Sequence, residues 1–196
     1  MTDMPRVGIG VPLVSMPAPS VITLCRLLIE TRSARTDLLV VQGAYIQHNR
    51  SILAKLAREQ GCTHLMYMDH DVVFPGDTID KLLAHEKPVV GATYNMRGVE
   101  PPSTCVVLLD EHGDKTPWEH LPKEPFRCEA LPGGAMLVRM DVFDKIDRPW
   151  FAIQEDETGE LSMSEDVWFC NRVRAAGMEI WCDPTIPTGH IGPKCY

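Results

Sequence analysis

The sequence predicts an α/β fold: a mostly parallel central sheet flanked by helices. Three observations lead there. Short apolar runs alternate with amphipathic stretches of helical period through the first half of the chain, the order that builds parallel strands with crossover helices. Residues 65–68, Leu-Met-Tyr-Met, are an unbroken apolar run of the kind that fills a strand buried on both faces. The 196 residues, 44% apolar and 23% charged, suit a single domain with a substantial core, expected over residues 1–196.

The elements follow in order. Residues 6–14 read as the first strand. Gly8 and Gly10 imitate a dinucleotide fingerprint, but Leu13 stands where the third glycine belongs, so no Rossmann site is expected. After a loop at 17–20, Ser20 can cap a helix to about Thr31, with Ile22, Cys25, Leu28 and Ile29 on one face. Residues 37–42 form the second strand. Asn49 or Ser51 opens the next helix, whose Ile52, Leu53, Leu56 and Ala57 make an apolar stripe and which Gly61 ends. The strand at 65–68 stops on Asp69-His70-Asp71, and a second apolar run, 72–74, follows. Gly76 and Asp77 open a helix with Ile79, Leu82 and Leu83 inward, and 88–94 is the fourth strand.

The second half is less regular. A strand is expected at 104–109, a turn at His112-Gly113, and a long surface loop at 111–126 carrying Trp118 and three prolines; loops of that length often act as lids. Residues 127–131 and 135–140 flank Pro132-Gly133-Gly134. A short helix at 141–146 precedes an acidic loop at 154–163. Ser164 caps a helix through about Ala176, ended by Gly177, and 178–182 is the last strand.

Composition excludes several classes. The formal charge of −8 disfavours coating a polyanion or an anionic membrane. Seven cysteines, scattered singly with no Cys-x-x-Cys pair, indicate reduced thiols in a cytoplasmic protein, and no disulfide framework or zinc ribbon. Prolines at 5, 12, 17 and 19 break up any signal peptide, and no apolar stretch approaches membrane-spanning length.

Three features carry the chemistry. Asp69 and Asp71, wedged between two apolar runs at a strand end, are costly unless something binds them. A divalent cation would explain the pair, and so would a turn, which Asp also favours. Ser164-Glu165-Asp166 opens a helix, where acids complement the dipole whether or not they do anything else. His190 lies between Gly189 and Gly192, which permit close backbone approach.

In this order and spacing the chain resembles glycosyltransferases of the GT-A fold, most of all the inverting, family-2-like type that includes small phage and bacterial enzymes. The resemblance runs from Val7 to Gly192. It rests on Leu-Met-Tyr-Met-Asp-His-Asp-Val-Val-Phe-Pro, Pro-Val-Val-Gly-Ala-Thr-Tyr, Pro-Gly-Gly-Ala-Met-Leu-Val-Arg, Ser-Glu-Asp-Val-Trp-Phe-Cys, Ala-Gly-Met-Glu-Ile-Trp-Cys-Asp-Pro and Gly-His-Ile-Gly. The resemblance implies that Asp69 and Asp71 are an Asp-x-Asp pair holding a metal and the donor, with Asp71 on the metal directly and His190 as third protein ligand. Asp166 would be the general base and Glu165 would orient the acceptor. The implied donor-binding set is Pro12, Asn49, Arg50, Asp69, His70, Gly133 and Gly134. Such enzymes often carry Arg-Asn near the nucleotide base; here the stretch is His48-Asn49-Arg50, which leaves the base-contacting residue open.

The implied chemistry is coherent. A nucleoside diphosphate leaves poorly until its charge is offset, which a divalent cation does as a Lewis acid. Two carboxylates and an imidazole suit Mn²⁺, or Mg²⁺. The acceptor hydroxyl needs a positioned base, and a carboxylate at a helix N-terminus stays ionised at neutral pH. The implied donor is a nucleoside-diphosphate sugar, with UDP-sugars foremost. The acceptor is a small molecule, a protein side chain or a modified nucleobase in DNA. No membrane partner and no appended acceptor-recognition domain are expected, and the oligomeric state is open. Competing classes are a sugar-phosphate nucleotidyltransferase, which normally shows a basic glycine-rich loop where residues 15–20 have no Lys or Arg; a metal-dependent hydrolase; and a non-catalytic nucleotide-sugar-binding module.

Overall fold

A computed structural model describes residues 4–13, 15–99 and 103–192. The expected strand end at Val14, and Cys195, lie outside the described residues. The strands and helices in chain order are β1 (Arg6–Pro12), α1 (Ala18–Glu30), β2 (Arg35–Val41), α2 (Ile46–Glu59), β3 (His64–Met68), β4 (Val72–Val73), α3 (Thr78–Ala84), β5 (Val89–Gly91), β6 (Phe126–Arg127), β7 (Ala135–Arg139), α4 (Val142–Lys145), β8 (Gln154–Glu155), β9 (Leu161–Met163), α5 (Glu165–Ala175), β10 (Ile180–Cys182) and β11 (Gly189–His190).

A seven-stranded sheet runs in the order β2-β1-β3-β7-β5-β10-β6. Strands β1, β2, β3, β5 and β10 share one direction, while β7 and β6 oppose it. The sheet is therefore mostly parallel, with an antiparallel strand inserted at its centre. Side chains alternate across it. Leu65 and Tyr67 of β3, with Met136 and Val138 of β7, face the layer of α2, α4 and α5. Met66 and Met68, with Ala135 and Leu137, face α1 and α3. Both cores are apolar, and the expected α/β architecture stands.

The helix α2 ends as its sequence requires. Gly61 takes φ +70°, its N–H bonds the Arg58 carbonyl, and the Cys62 N–H bonds that of Ala57, a Schellman closure.

Five expectations need correction. Helix α1 starts at Ala18 with Pro17 as N-cap, because proline is accommodated in a first helical turn. Its buried face is Ser20, Thr23 and Leu27, whereas Ile22, Cys25 and Ile29 are exposed; the helix lies against β4 and β2, where small side chains permit approach. Helix α2 starts at Ile46, ahead of Asn49 and Ser51. Residues 104–109 form isolated bridges, Thr104 to Asn95, Val107 to Ala130 and Leu109 to Lys115, since their partners come from unrelated stretches and no ladder can propagate. Residues 154–163 make an exposed hairpin of β8 and β9, closed by Asp156 Oδ1 accepting from Thr158 and Glu160 N–H, a local Asx turn. Ser164 occupies the N-cap of α5 without a side-chain cap bond; its hydroxyl donates to the Asp166 carboxylate instead.

Candidate functional site

The strand β3 delivers Asp69 and Asp71 to the carboxyl end of the parallel strands, where open α/β sheets bind ligands. A cleft of about 390 Å³ opens there. Pro12 comes from the end of β1, Asn49 from the first turns of α2, Tyr94 from beyond β5, Asp166 from the first turn of α5, and His190 from β11. His190 arrives by a long-range pairing. β11 lies antiparallel to β4 with His190 opposite Val72, and the Ile191 N–H bonds the Asp71 carbonyl at 2.7 Å. Seven of the expected residues, Pro12, Asn49, Asp69, His70, Asp71, Asp166 and His190, thus line one space.

Beneath the cleft floor lies Arg50, 2% exposed. Its Nε donates to Glu165 Oε1 at 3.0 Å, Nη1 to the Gly133 carbonyl at 3.0 Å, and Nη2 to Asp69 Oδ2 at 3.1 Å. Burial opposes the charge, but Asp69, Glu165 and Asp166 outweigh it and hold the guanidinium pKa above its ordinary value. Burial raises the Glu165 carboxyl, and Arg50 draws it back only in part, because one cation is shared among several anions. Glu165 is therefore turned toward Arg50. Gly133 and Gly134 explain themselves sterically. A Cβ on Gly133 would lie 2.5 Å from Arg50 Cζ, and one on Gly134 would lie 2.7 Å from Asp69 Oδ2. The glycine pair lets β7 begin directly over the Arg50–Asp69 ion pair.

Asp166 is held by three donors: the Ser164 hydroxyl and Val167 N–H on Oδ1, and the Gly133 N–H on Oδ2 at 3.3 Å. Asp71 is 5% exposed. Burial pushes its carboxyl up, but His190, His70 and Arg97 together bring it below its ordinary value. Its Oδ2 lies 3.6 Å from His190 Nε2, and Arg97 Nη1 lies 2.8 Å from the same oxygen. His70 is half-buried, with Nε2 3.9 Å from that oxygen. Asn49 Nδ2 donates to the Gly43 carbonyl at 3.0 Å, and Pro12 and His70 line the cleft. Cys105 also lines it, but burial, with Asp166 adding, pushes its thiol up to about 12, so it stays protonated and is no nucleophile near neutral pH.

Among the described residues no group of three or more His, Cys, Asp or Glu is preassembled to hold a metal ion. A pair does fit one. His190 Nδ1 lies 3.1 Å from the Asn95 carbonyl, which fixes that nitrogen as a donor and turns Nε2 toward Asp71, the orientation usual for an imidazole ligand. Asp69 Oδ1 is buried without a hydrogen-bond partner, although Arg50 Nη2 stands 3.0 Å away. Asp71 and His190, with Asp69 beside them, can hold a cation that takes its remaining ligands from a bound anion.

The sequence motifs contain neither Arg97 nor Asn95. A signal for the burial of Arg50 was present, since Arg50 stands at helical spacing from Leu53, Ala54 and Ala57. Arg97 has no local signal.

No protein-family model matches the chain, and no curated protein sequence matches it. Its fold is similar to that of the crystal structure of A197 from STIV, with 16% identity and a TM-score of 0.63 over 96% of this chain and 86% of that one. A structure of a protein assigned as a glucose-1-phosphate thymidylyltransferase from Bacillus anthracis, in complex with a sucrose, aligns more loosely. It shares 10% identity at a TM-score of 0.49, over 95% of this chain and 89% of that one. No helix among the described residues is long and apolar enough to cross a membrane.

Proposed function

We propose that this chain is a cation-dependent glycosyltransferase of the GT-A type. It moves a sugar from a nucleoside-diphosphate sugar, a UDP-sugar first, to an acceptor hydroxyl with inversion. The convergence of Asp69, Asp71, Asp166 and His190, from three separate stretches, on one cleft carries this proposal. A second feature supports it. The N-terminus of α2 has no acid in its first turn and no side-chain cap, and Gly43, Ala44 and Ile46 present it to the cleft; free N–H groups and the positive dipole end favour a phosphate there.

Asp71 and His190, with Asp69, would hold Mn²⁺ or Mg²⁺, which when bound offsets the charge of the departing diphosphate. Asp166 accepts the proton of the acceptor hydroxyl. As it does so, a bond forms from that oxygen to the anomeric carbon, and the bond from the anomeric carbon to the diphosphate oxygen breaks. The Gly133 and Val167 N–H groups and the Ser164 hydroxyl fix the Asp166 carboxylate, so little reorganisation is needed. Glu165 acts at one remove, by fixing Arg50 and through it Asp69. Pro12, Asn49 and His70 line the donor side. The acceptor is a small molecule, a protein side chain or a modified nucleobase in DNA. The six cysteines among the described residues are free thiols, which accords with a reducing cytoplasm, that of the host for a phage-encoded chain.

Incubation with Mn²⁺ and a panel of nucleotide sugars tests the proposal. Slow release of nucleoside diphosphate, lost on chelation, is the expected result. Pyrophosphate release from a nucleoside triphosphate and a sugar phosphate would instead identify a nucleotidyltransferase. Nucleotide-sugar binding without turnover would identify a binding module.

A further inference from the structure

Arg97 lies on the loop after β5, and its side chain is 49% exposed. Its Nη1 contacts Asp71 Oδ2 at 2.8 Å and lies 3.4 Å from the Ile191 carbonyl. Asp71 cannot move to meet it. The Asp71 carbonyl is tied to Ile191 N–H, and its side chain is buried. His190 is fixed as well, by the Asn95 carbonyl behind it and by the Tyr94 ring, whose centroid is 4.8 Å from its own. The imidazole Nε2 and the Asp71 carboxylate thus face each other across 3.6 Å. A carboxylate this buried is costly unless positive charge stands beside it. Arg97 supplies that charge here, and it is the partner free to leave, being exposed and on a flexible stem.

We infer that Arg97 is a displaceable counter-ion. It holds Asp71 while no cation is bound, and when a divalent cation takes Asp71 it swings onto the diphosphate of the donor. This rests on the proposed cation and donor site. A divalent cation on Asp71 Oδ2 would stand at short range from the Arg97 guanidinium, and the two like charges compete for that oxygen. Arg97 lines the cleft beside Asp71, so its released fork stays within the space where phosphate oxygens would lie, and its geometry suits bidentate contact with them. Arg97 therefore weakens binding of the cation alone and strengthens binding of the diphosphate once the cation is present. The two ligands become coupled through one side chain.

Calorimetry on the full chain tests this, with Mn²⁺ alone and then UDP at saturating Mn²⁺, for the wild type, Arg97→Gln and Arg97→Lys. Arg97→Gln should bind Mn²⁺ alone about fivefold more tightly, the scale of one lost half-exposed ion pair. It should bind UDP about tenfold more weakly, the scale of one charged hydrogen-bonding group. Arg97→Lys, which keeps the charge but not the fork, should match the wild type for Mn²⁺ and fall between the two for UDP. Unchanged or weaker Mn²⁺ binding by Arg97→Gln overturns the counter-ion role, and unchanged UDP binding overturns the transfer to diphosphate. In either case, if the wild type binds both ligands, the transferase proposal stands. A wild type that binds neither Mn²⁺ nor UDP removes that proposal and this inference together.

Discussion

Replacing Arg50 with methionine keeps the volume of the stem and removes the cation from beneath Gly133. The guanidinium is 2% exposed and makes three hydrogen bonds, to Glu165, the Gly133 carbonyl and Asp69. Leaving a buried charge without its partner costs about 3–5 kcal/mol. The Asp69 side chain is 23% exposed and water can recover part of its loss, whereas Glu165, at 11%, has little such recourse. Most of the penalty therefore falls on Glu165. Against a typical total of about 5–15 kcal/mol, the variant should fold but stand close to its limit. The pH dependence identifies the cause. Burial already raises the Glu165 carboxyl in the folded protein, and Arg50 opposes this; without Arg50 the pKa rises further. A carboxyl whose folded pKa exceeds its unfolded one costs stability above the folded value, and costs nothing once the pH is below the unfolded value. The loss in Arg50→Met should thus be greatest at neutral pH and shrink on acidification through the raised pKa. Urea unfolding of both proteins near about pH 7.5 and about pH 5.5 measures this. A loss below about 1 kcal/mol at the higher pH, or an equal loss at both, would refute the assignment of Glu165 as the group that Arg50 compensates.

Further outcomes are expected. Asp166→Asn should lower transfer to the acceptor by roughly 10²–10⁴-fold with nucleotide and Mn²⁺ affinity nearly unchanged; steady-state kinetics showing near-normal transfer would return Asp166 to a helix-dipole role worth at most about 1 kcal/mol. Asp71→Ala should abolish Mn²⁺-dependent UDP binding in calorimetry, and His190→Ala should weaken it less, since the carboxylates remain. Residues 111–126 and 154–163, largely exposed and the second running directly into the Ser164–Asp166 turn, should gain hydrogen-exchange protection when donor and Mn²⁺ are added, because water exclusion limits donor hydrolysis; equal protection with and without ligands would count against closure.

Much of this molecule is legible in the chain itself, because the signals are local. The apolar run of β3 ending on Asp69-His70-Asp71, the stripe Leu53 and Ala57 of α2 with its Gly61 stop, and the acids opening α5 are patterns set within a single turn or strand, and the structure has them where periodicity places them. What the chain could not disclose depends on residues far apart. The phase of α1 is one case: Ile22, Cys25 and Ile29 look like a core stripe, but the orientation of the helix on the sheet left them outside and buried Ser20, Thr23 and Leu27. Another is the insertion of β7 antiparallel between β3 and β5, which no local pattern specifies because strand order is a property of the whole sheet. The site follows the same division. The acids were visible as types and spacings. Their partners were not: Arg50 reaches Glu165 across 115 positions of chain, β11 brings His190 to Asp71 through its pairing with β4, and Arg97 meets Asp71 from a loop with no motif of its own. Sequence spacing governs which side chains share a face, but only the assembled sheet decides which charges must neutralise one another.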